Sequence, residues 1–269
     1  MGVVGEFADP RLRAIRHDRN RGCVAAKNTG LAEAKGTFVA VLDADDLSDP
    51  VRLERQLGVL RERPDVVLLG TWCHFIDADG RVFHTDRPPT EHDALYQRLS
   101  HSNPLTHSTI MVQRAAALEV GGYPPDLLYA HDYGLYIRLL RAGRAALVPE
   151  ALVQYRMHGG SMTDSGAYSY EKIFDVLRVT EKARGLPGLT GEARRLNVRG
   201  IVEARMAGRA LLCRSRRARD GLGIAPGIGA RLARPVAAGP AGTGRHPRCA
   251  LRHRPAADAL TGEGMRVPA

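Results

Sequence analysis

Three carboxylates fall within four residues at Asp43-Ala44-Asp45-Asp46, directly after the apolar run Phe38-Val39-Ala40-Val41-Leu42. A continuous apolar run bounded in this way reads as a buried parallel strand, and the carboxyl end of such a strand is where open α/β sheets place their ligands. If the chain stays extended there, Asp43 and Asp45 point to the same side and their carboxylates converge. Such a pair suits a hard cation, Mg2+ or Mn2+, with positions left open for phosphate oxygens. The plainer alternative is a solvated turn in which Asp46 or Ser48 caps the helix opened by Pro50. A second D-x-D, Asp77-Ala78-Asp79, ends in Gly80 and reads as a hairpin turn without a chemical role.

Positioning these groups requires alternating strands and helices. Leu12 to His17 follows the turn signal Asp9-Pro10 and predicts a strand. Cys23 to Ala34 predicts a helix ending near Gly36. Pro50 to Arg61 predicts a second helix, with Leu53, Leu57 and Leu60 on one face. Val66 to Ile76 reads as a strand that Asp79-Gly80 turns into a hairpin with Arg81 to His84. Glu91 to Leu99 reads as helix, His107 to Val112 as strand, and Tyr133 to Arg141 as helix with Leu135, Leu139 and Leu140 on a shared face. Leu147-Val148 and Leu152 to Met157 read as late strands. Helices over 168–184 and 190–206 follow, broken at Pro187-Gly188. The β-α-β-α-β order implies an α/β sheet with helices on its faces, and no repeat of 20–50 residues interrupts it. Trp72 reads as core, while His101 and His107 read as loop and the start of a strand.

The segments NRGCVAAKNTGLAEAKGTFVAVLDADD, PVRLERQ, GGY, HDYGLYIRL and YRMHGGSMT, in that order over about residues 9–163, resemble the family-2 glycosyltransferases with a GT-A fold. The resemblance implies a mixed sheet flanked by helices and an inverting transfer of sugar from a nucleotide-diphosphate donor. It assigns Asp43, Ala44 and Asp45 to the D-x-D motif, which meets the donor diphosphate through a divalent metal. Lys27 stands where the family usually carries Arg near the nucleotide, which keeps the charge and loses the bidentate fork. Asp132 matches the catalytic base, which takes the proton of the attacking acceptor hydroxyl; as a residue alone it reads equally as a cap for the helix at Tyr133. His131 replaces the Glu, and Gly134 the Asp, common at their positions. His158 matches a late His that reaches the metal or diphosphate, and Gly121-Gly122-Tyr123 a turn bordering the acceptor pocket. The resemblance also implies an opening β-α-β unit, with Pro-x-Tyr-Asn-like and Asp-Asp-Gly-Ser-like turns, that the sequence does not contain.

Composition sets the outer bounds. With 44% hydrophobic and 25% charged residues the chain is neither wholly disordered nor collagen-like. No apolar run approaches the ~18 residues of a membrane span, and the opening residues lack the pattern of a secretory signal. Cys23, Cys73, Cys213 and Cys249 are too widely spaced for a CxxC site, which points to a reducing cytosol, with peripheral contact at the inner face of the membrane left open. Residues 1–204 carry 26 basic and 26 acidic residues, so the net charge of +10 sits in 205–269, where 13 Arg meet 3 acidic residues. That stretch lacks aromatics and is dominated by Ala, Gly, Pro and Arg, also the composition of a GC-rich segment read out of frame. Its arginines show neither helical periodicity nor interleaved aromatics, so a nucleic-acid partner is not expected.

The organisation expected is therefore a partial glycosyltransferase domain over 1–165, helices over 166–206 and a disordered tail over 207–269. The partners expected are a nucleotide-sugar donor and a glycan, lipid or small-molecule acceptor. The alternative reading is a truncated, inactive relative that keeps a partial sugar- or partner-binding surface.

Overall fold

The computed structural model describes residues 9–158 and 170–222, with only the backbone of residues 170 and 209–222. The strands are β1 (Phe38–Ala40), β2 (Leu47–Ser48), β3 (Val66–Ile76), β4 (Val82–Asp86), β5 (Met111–Gln113) and β6 (Arg144–Arg156). The helices are α1 (Cys23–Glu33), α2 (Arg52–Glu62), α3 (His92–Leu99), α4 (Arg114–Glu119), α5 (His131–Leu139), α6 (Tyr170–Ala183) and α7 (Gly191–Leu222), with a 3₁₀ turn at His107–Thr109.

The sheet is mixed and built on β3. Along one edge β3 runs parallel to β6, from Val66 opposite Arg144 to Ile76 opposite Arg156. Along the other it pairs antiparallel with β5 through Leu68 and Leu69 and with β4 from Cys73 to Ile76. β1 adds to β5 and β2 to β6, both antiparallel, giving the order β1-β5-β3-β6-β2. Hydrophobic burial holds the layers together. Val67 and Leu68 of β3 share a core with Tyr133, Leu135, Tyr136, Ile137 and Leu139 of α5, Leu95 and Leu99 of α3, and Val179 and Ala183 of α6. A second cluster joins Leu60 of α2 to Val66, Leu69, Met111, Ala146, Val148 and Leu152. Each fully buried aliphatic side chain contributes ~1.5–3 kcal/mol to holding these layers together.

Several elements differ from the sequence expectation for identifiable reasons. Residues 12–17 are not a strand. Leu12 and Ile15 stay half exposed there, because β-propensity yields a strand only where a neighbour completes the ladder. The buried face of α2 is Arg52, Gln56 and Leu60, while Leu53 is 49% exposed. Arg52 donates to the carbonyls of Val41 (2.8 Å) and Ile110 (3.4 Å), and its Nε donates to Gln56 Oε1 at 3.1 Å. Gln56 Nε2 in turn donates to Thr109 O at 2.9 Å. Burial pulls the Arg52 pKa down to about 10, but the bonds from Nε and Nη2 to the Gln56 amide oxygen and the two backbone carbonyls offset part of the cost of burying the cation. The two late strands are one, β6. Pro149, which cannot donate to a ladder, is accommodated by a register shift that sets Thr71 opposite Val148 and Trp72 opposite Ala151. Residues 107–109 form a 3₁₀ turn before the short β5. Trp72 is partly buried against the first core, its Nε1 donating to Pro88 O at 3.1 Å. The helix α7 runs to Leu222, beyond residue 206, through an Ala-, Leu- and Arg-rich stretch of strong helix formers. Residues 223–269 of the basic tail lie outside the described residues.

The C-terminal helices are tied to the loop that leads into α5. Asp175 of α6, which is buried, accepts from the backbone N–H of Leu128 (2.6 Å) and Tyr129 (2.7 Å). Asn197 of α7 donates to Ser100 O (2.6 Å) and Thr180 O (2.9 Å). Replacing Asp175 by Ala leaves two donors unpaired, each costing about 1–3 kcal/mol. Urea unfolding of Asp175→Ala should show that loss, and Asp175→Asn, which keeps an accepting oxygen, should lose less.

Candidate active site

Residues 43–46 close a β-turn in which Asp46 N donates to Asp43 O at 3.2 Å, so the extended geometry expected for Asp43-Ala44-Asp45 is not present. The two outer carboxylates accordingly take different partners. Asp46 is the buried one, 7% exposed, and caps no helix. Its Oδ2 accepts from the Ser108 hydroxyl and its Oδ1 from Arg156 N at 2.9 Å. The same Ser108 oxygen accepts from Asp43 N at 3.0 Å, so one hydroxyl links both ends of the turn. Burial pushes the Asp46 pKa above the usual carboxylate value. The residue that receives the helix start is Asp49, whose Oδ1 accepts from Val51 N at 2.9 Å.

The Arg156 side chain straps the turn from outside. Its Nε donates to Asp45 O at 3.1 Å, and its Nη1 donates to the carbonyls of Asp77 (3.2 Å) and Ala78 (3.0 Å) in the β3–β4 hairpin. The second D-x-D segment is thus a turn, as expected, and serves as an anchor for the first. Asp45 Oδ2 lies 3.0 Å from His158 Nε2, both partly exposed.

Asp43 faces the other way, toward α1 and the 3₁₀ turn. Lys27 Nζ is 3.5 Å from Asp43 Oδ1, and His107 Nδ1 is 3.8 Å from Oδ2. Lys27 also lies 3.0 Å from His107 Nδ1, while His107 Nε2 lies 3.0 Å from Tyr123 Oη. His107 and then Lys27 hold the Asp43 carboxyl down to about 2 against the burial that raises it. At 3.8 Å, with Nδ1 accepting from Lys27, the imidazole makes no direct hydrogen bond to Asp43, and the Lys27 ammonium that it holds in place is the cation that favours the carboxylate. Tyr123 is fixed by Asn28 of α1, which accepts from Tyr123 N and donates to Tyr123 O, both at 2.9 Å. Gly122 permits this approach: its φ is +61°, and a Cβ there would stand 2.5 Å from Asn28 Oδ1.

Asp132 sits in the first turn of α5 and makes no cap hydrogen bond to the helix; its Oδ2 accepts from Asn103 Nδ2 at 3.1 Å. Beside it the buried His131 donates from Nδ1 to Leu128 O at 3.0 Å, and burial holds its pKa down. Lys27, Asp43, His107, His131 and Asp132 all line one cleft of about 880 Å³. Its remaining wall is largely apolar and includes Phe75, Tyr155 and Met157 together with Ile173 and Val176 of α6 and Ala204 of α7.

Residues 3–122 match the family model described as glycosyl transferase family 2. The match covers just under half of the chain, which is similar to that family over those residues. An uncharacterized glycosyltransferase of Methanocaldococcus jannaschii is 29% identical over 158 residues, covering 58% of this chain and 54% of that protein. The amylovoran biosynthesis glycosyltransferase AmsE of Erwinia amylovora is 28% identical over 156 residues, 58% of each chain. The chain thus spans about half the length of the curated relatives it matches. The solved structure of S. aureus TarS 1-349 in complex with UDP-GlcNAc superposes with a TM-score of 0.51 at 16% identity, over 69% of this chain and 53% of that one. That likeness shows the fold, a GT-A-like mixed sheet flanked by helices.

The structure brings Lys27, Asp43 and Asp132 to one cleft, and it pairs Asp45 with His158 outside the cleft lining. Ala44 is a turn residue. Asp43, Asp45 and His158 do not form one ready metal cage: among the described residues no group of three or more His, Cys, Asp or Glu is arranged to hold a metal ion. The β-turn is the reason, since it separates the carboxylates that an extended strand would align. Sequence reasoning missed His107, Ser108, Asn103 and Arg156. His107 and Ser108 reach the site because β5 pairs with β1, Ala40 opposite Met111, which lays residues 107–110 beside the acidic turn; no local signal in the sequence reports that pairing.

Asp43 has a depressed pKa when folded, so the stability it contributes is present above the ordinary value of 3.8 and is lost as pH falls toward about 2. Carboxyl carbon shifts of the folded protein should place its midpoint near 2, and Lys27→Ala should move it upward. A wild-type midpoint at 3.8 or above would remove the Lys27 cation from its surroundings.

Proposed function

We propose that this chain carries the donor and base residues of an inverting glycosyltransferase that moves a sugar from a nucleotide-diphosphate donor to a hydroxyl of a glycan, lipid or small-molecule acceptor. The observation that supports it is the shared cleft, with a cation and a carboxylate, Lys27 and Asp43, on one side and the carboxylate of Asp132 on another. An acceptor hydroxyl seated at Asp132 gives up its proton to that carboxylate as its oxygen bonds to the anomeric carbon. The bond from that carbon to the diphosphate oxygen breaks, and the electron pair leaves with the diphosphate, whose growing charge faces Lys27. A single in-line displacement inverts the anomeric configuration. Residues up to about 165 supply these groups, and the helices after them wall the acceptor side.

The donor set fits a divalent cation in the open sense that suits Mg2+ or Mn2+, one or two carboxylates plus diphosphate oxygens and water, rather than a closed protein cage. Asp43 and Asp45 would hold it, with His158 beside Asp45. Such a cation supplies charge neutralisation at the diphosphate. Among the described residues no helix is long and apolar enough to cross a membrane, and the reading needs none.

Two measurements test it. Thermal unfolding with UDP- and GDP-sugars should show stabilisation that requires Mn2+ or Mg2+ and is lost in Asp45→Ala; equal stabilisation in excess chelator speaks against the metal. Asp132→Asn keeps size but cannot take the proton, so turnover should fall by roughly 10²–10⁴ while donor affinity stays level. Near-normal turnover in that variant would remove Asp132 from the mechanism.

A further inference from the structure

We propose that His107 is a positioning residue of the diphosphate subsite: by accepting from Lys27 it holds the ammonium off Asp43, so that both charges stay open to the donor. The inference rests on the donor reading above and adds a residue to it. Lysine has three N–H donors and no acceptor, so at 3.0 Å from Lys27 Nζ the Nδ1 of His107 must present its lone pair. The ring proton then sits on Nε2 and is donated to Tyr123 Oη at 3.0 Å. Tyr123 is held by its two hydrogen bonds to Asn28. The ring has little room to turn: it packs edge-on to Tyr123 and His131, with centroids 5.6 and 6.0 Å away, and its side chain is 9% exposed.

The consequence is a matter of charge. A direct ammonium–carboxylate pair closes to ~2.8 Å, and each partner then cancels the other. Here the Lys27–Asp43 separation is 3.5 Å, and one ammonium hydrogen is spent on a neutral acceptor that cancels nothing. Without the imidazole nitrogen, Lys27 is free to settle onto Asp43. A diphosphate would then have to break that pair before it could use either group.

The test is a double-mutant cycle read by calorimetric binding of inorganic pyrophosphate, UDP and GDP. His107→Phe keeps a ring in the packed slot and removes Nδ1. It should weaken all three probes by about tenfold, raise the donor KM and leave kcat nearly level. His107→Asn, which restores a neutral accepting oxygen, should recover most of the affinity; it also carries the test should His107→Phe not fold, by binding the probes far better than His107→Ala. In a Lys27→Met background the His107 substitution should cost almost nothing further, because its effect runs through Lys27. Unchanged probe binding in a folded His107→Phe, or a loss that simply adds to that of Lys27→Met, overturns the positioning role and leaves the donor reading standing. Failure of the wild-type chain to bind any of the three probes overturns the donor reading, and this inference with it.

Discussion

The buried carboxylate of Asp46 is the constraint on which the rest of the site depends. A carboxylate taken out of water is tolerated only when its oxygens find donors, and Asp46 finds one in the Ser108 hydroxyl and one in the backbone of Arg156. Those partners come from the segment before β5 and from the end of β6, strands on opposite edges of β3. One side chain therefore ties three separated stretches of chain together at the carboxyl end of the sheet. The turn it closes decides that Asp43 looks toward α1 and Asp45 toward His158. Below it, the buried Arg52 answers the carbonyls of Val41 and Ile110 where the strands give out. The acidic turn thus rests on a satisfied polar floor rather than on hydrophobic packing, and such a floor holds direction as well as position.

Charge in the cleft follows from that arrangement. The cations and carboxylates near the turn are matched loosely, with Lys27 at 3.5 Å from Asp43 and Asp45 against an imidazole. Tight pairing would be better for the empty protein, and loose pairing leaves groups that can respond to a charged ligand. The depressed pKa of Asp43 expresses the same fact, since its carboxylate form is favoured by neighbours that do not fully neutralise it. Asp132 is set apart from this group and held by an amide, Asn103, which orients a carboxylate without cancelling its charge.

What the sequence disclosed was local. The hairpin at Asp79-Gly80, the Leu-rich face of α5 and the break at Pro187-Gly188 carry their signal within a few residues, and each formed as expected; the apolar run into Asp43 does form a strand, but β1 is a short, half-buried edge strand antiparallel to β5 rather than the buried parallel strand the run suggested. The family resemblance located Lys27, Asp43 and Asp132, and the fold brings those three to one cleft. What stayed hidden depended on partners. Leu12 to His17 has strand-like residues and no strand beside it among the described residues. Arg52 and Gln56 look like the solvent face of an amphipathic helix until the carbonyls above them are known. His107 is a histidine in a loop until β5 pairs with β1 and delivers it to Lys27. The expected alignment of Asp43 with Asp45 failed for the same reason, because a hydroxyl from residue 108 bends that segment into a turn.

The distribution of the site along the chain carries a further consequence. The family match ends at residue 122 and so includes Lys27, Asp43, Asp45 and His107, the groups proposed for the donor. Asp132, His158 and the apolar wall from α6 and α7 lie beyond it. Chemistry common to every donor, a diphosphate leaving with its charge, demands the same few groups in the same place, and that part of a sequence is held to a recognisable pattern. The face that meets the acceptor answers to a ligand that differs from one transferase to another, and nothing in the shared chemistry fixes its residues. In this chain the face proposed for the acceptor is mainly aliphatic and aromatic, with Asp132, Lys172 and Glu203 as its charged members. Helix α6 therefore does two things at once: through Asp175 it holds the loop that aims Asp132, and through Ile173 and Val176 it shapes what Asp132 can reach. A change in that helix that alters the apolar wall is thereby also positioned to move Asp132, so under the proposed function acceptor choice and the placement of the base are mechanically linked through the same helix.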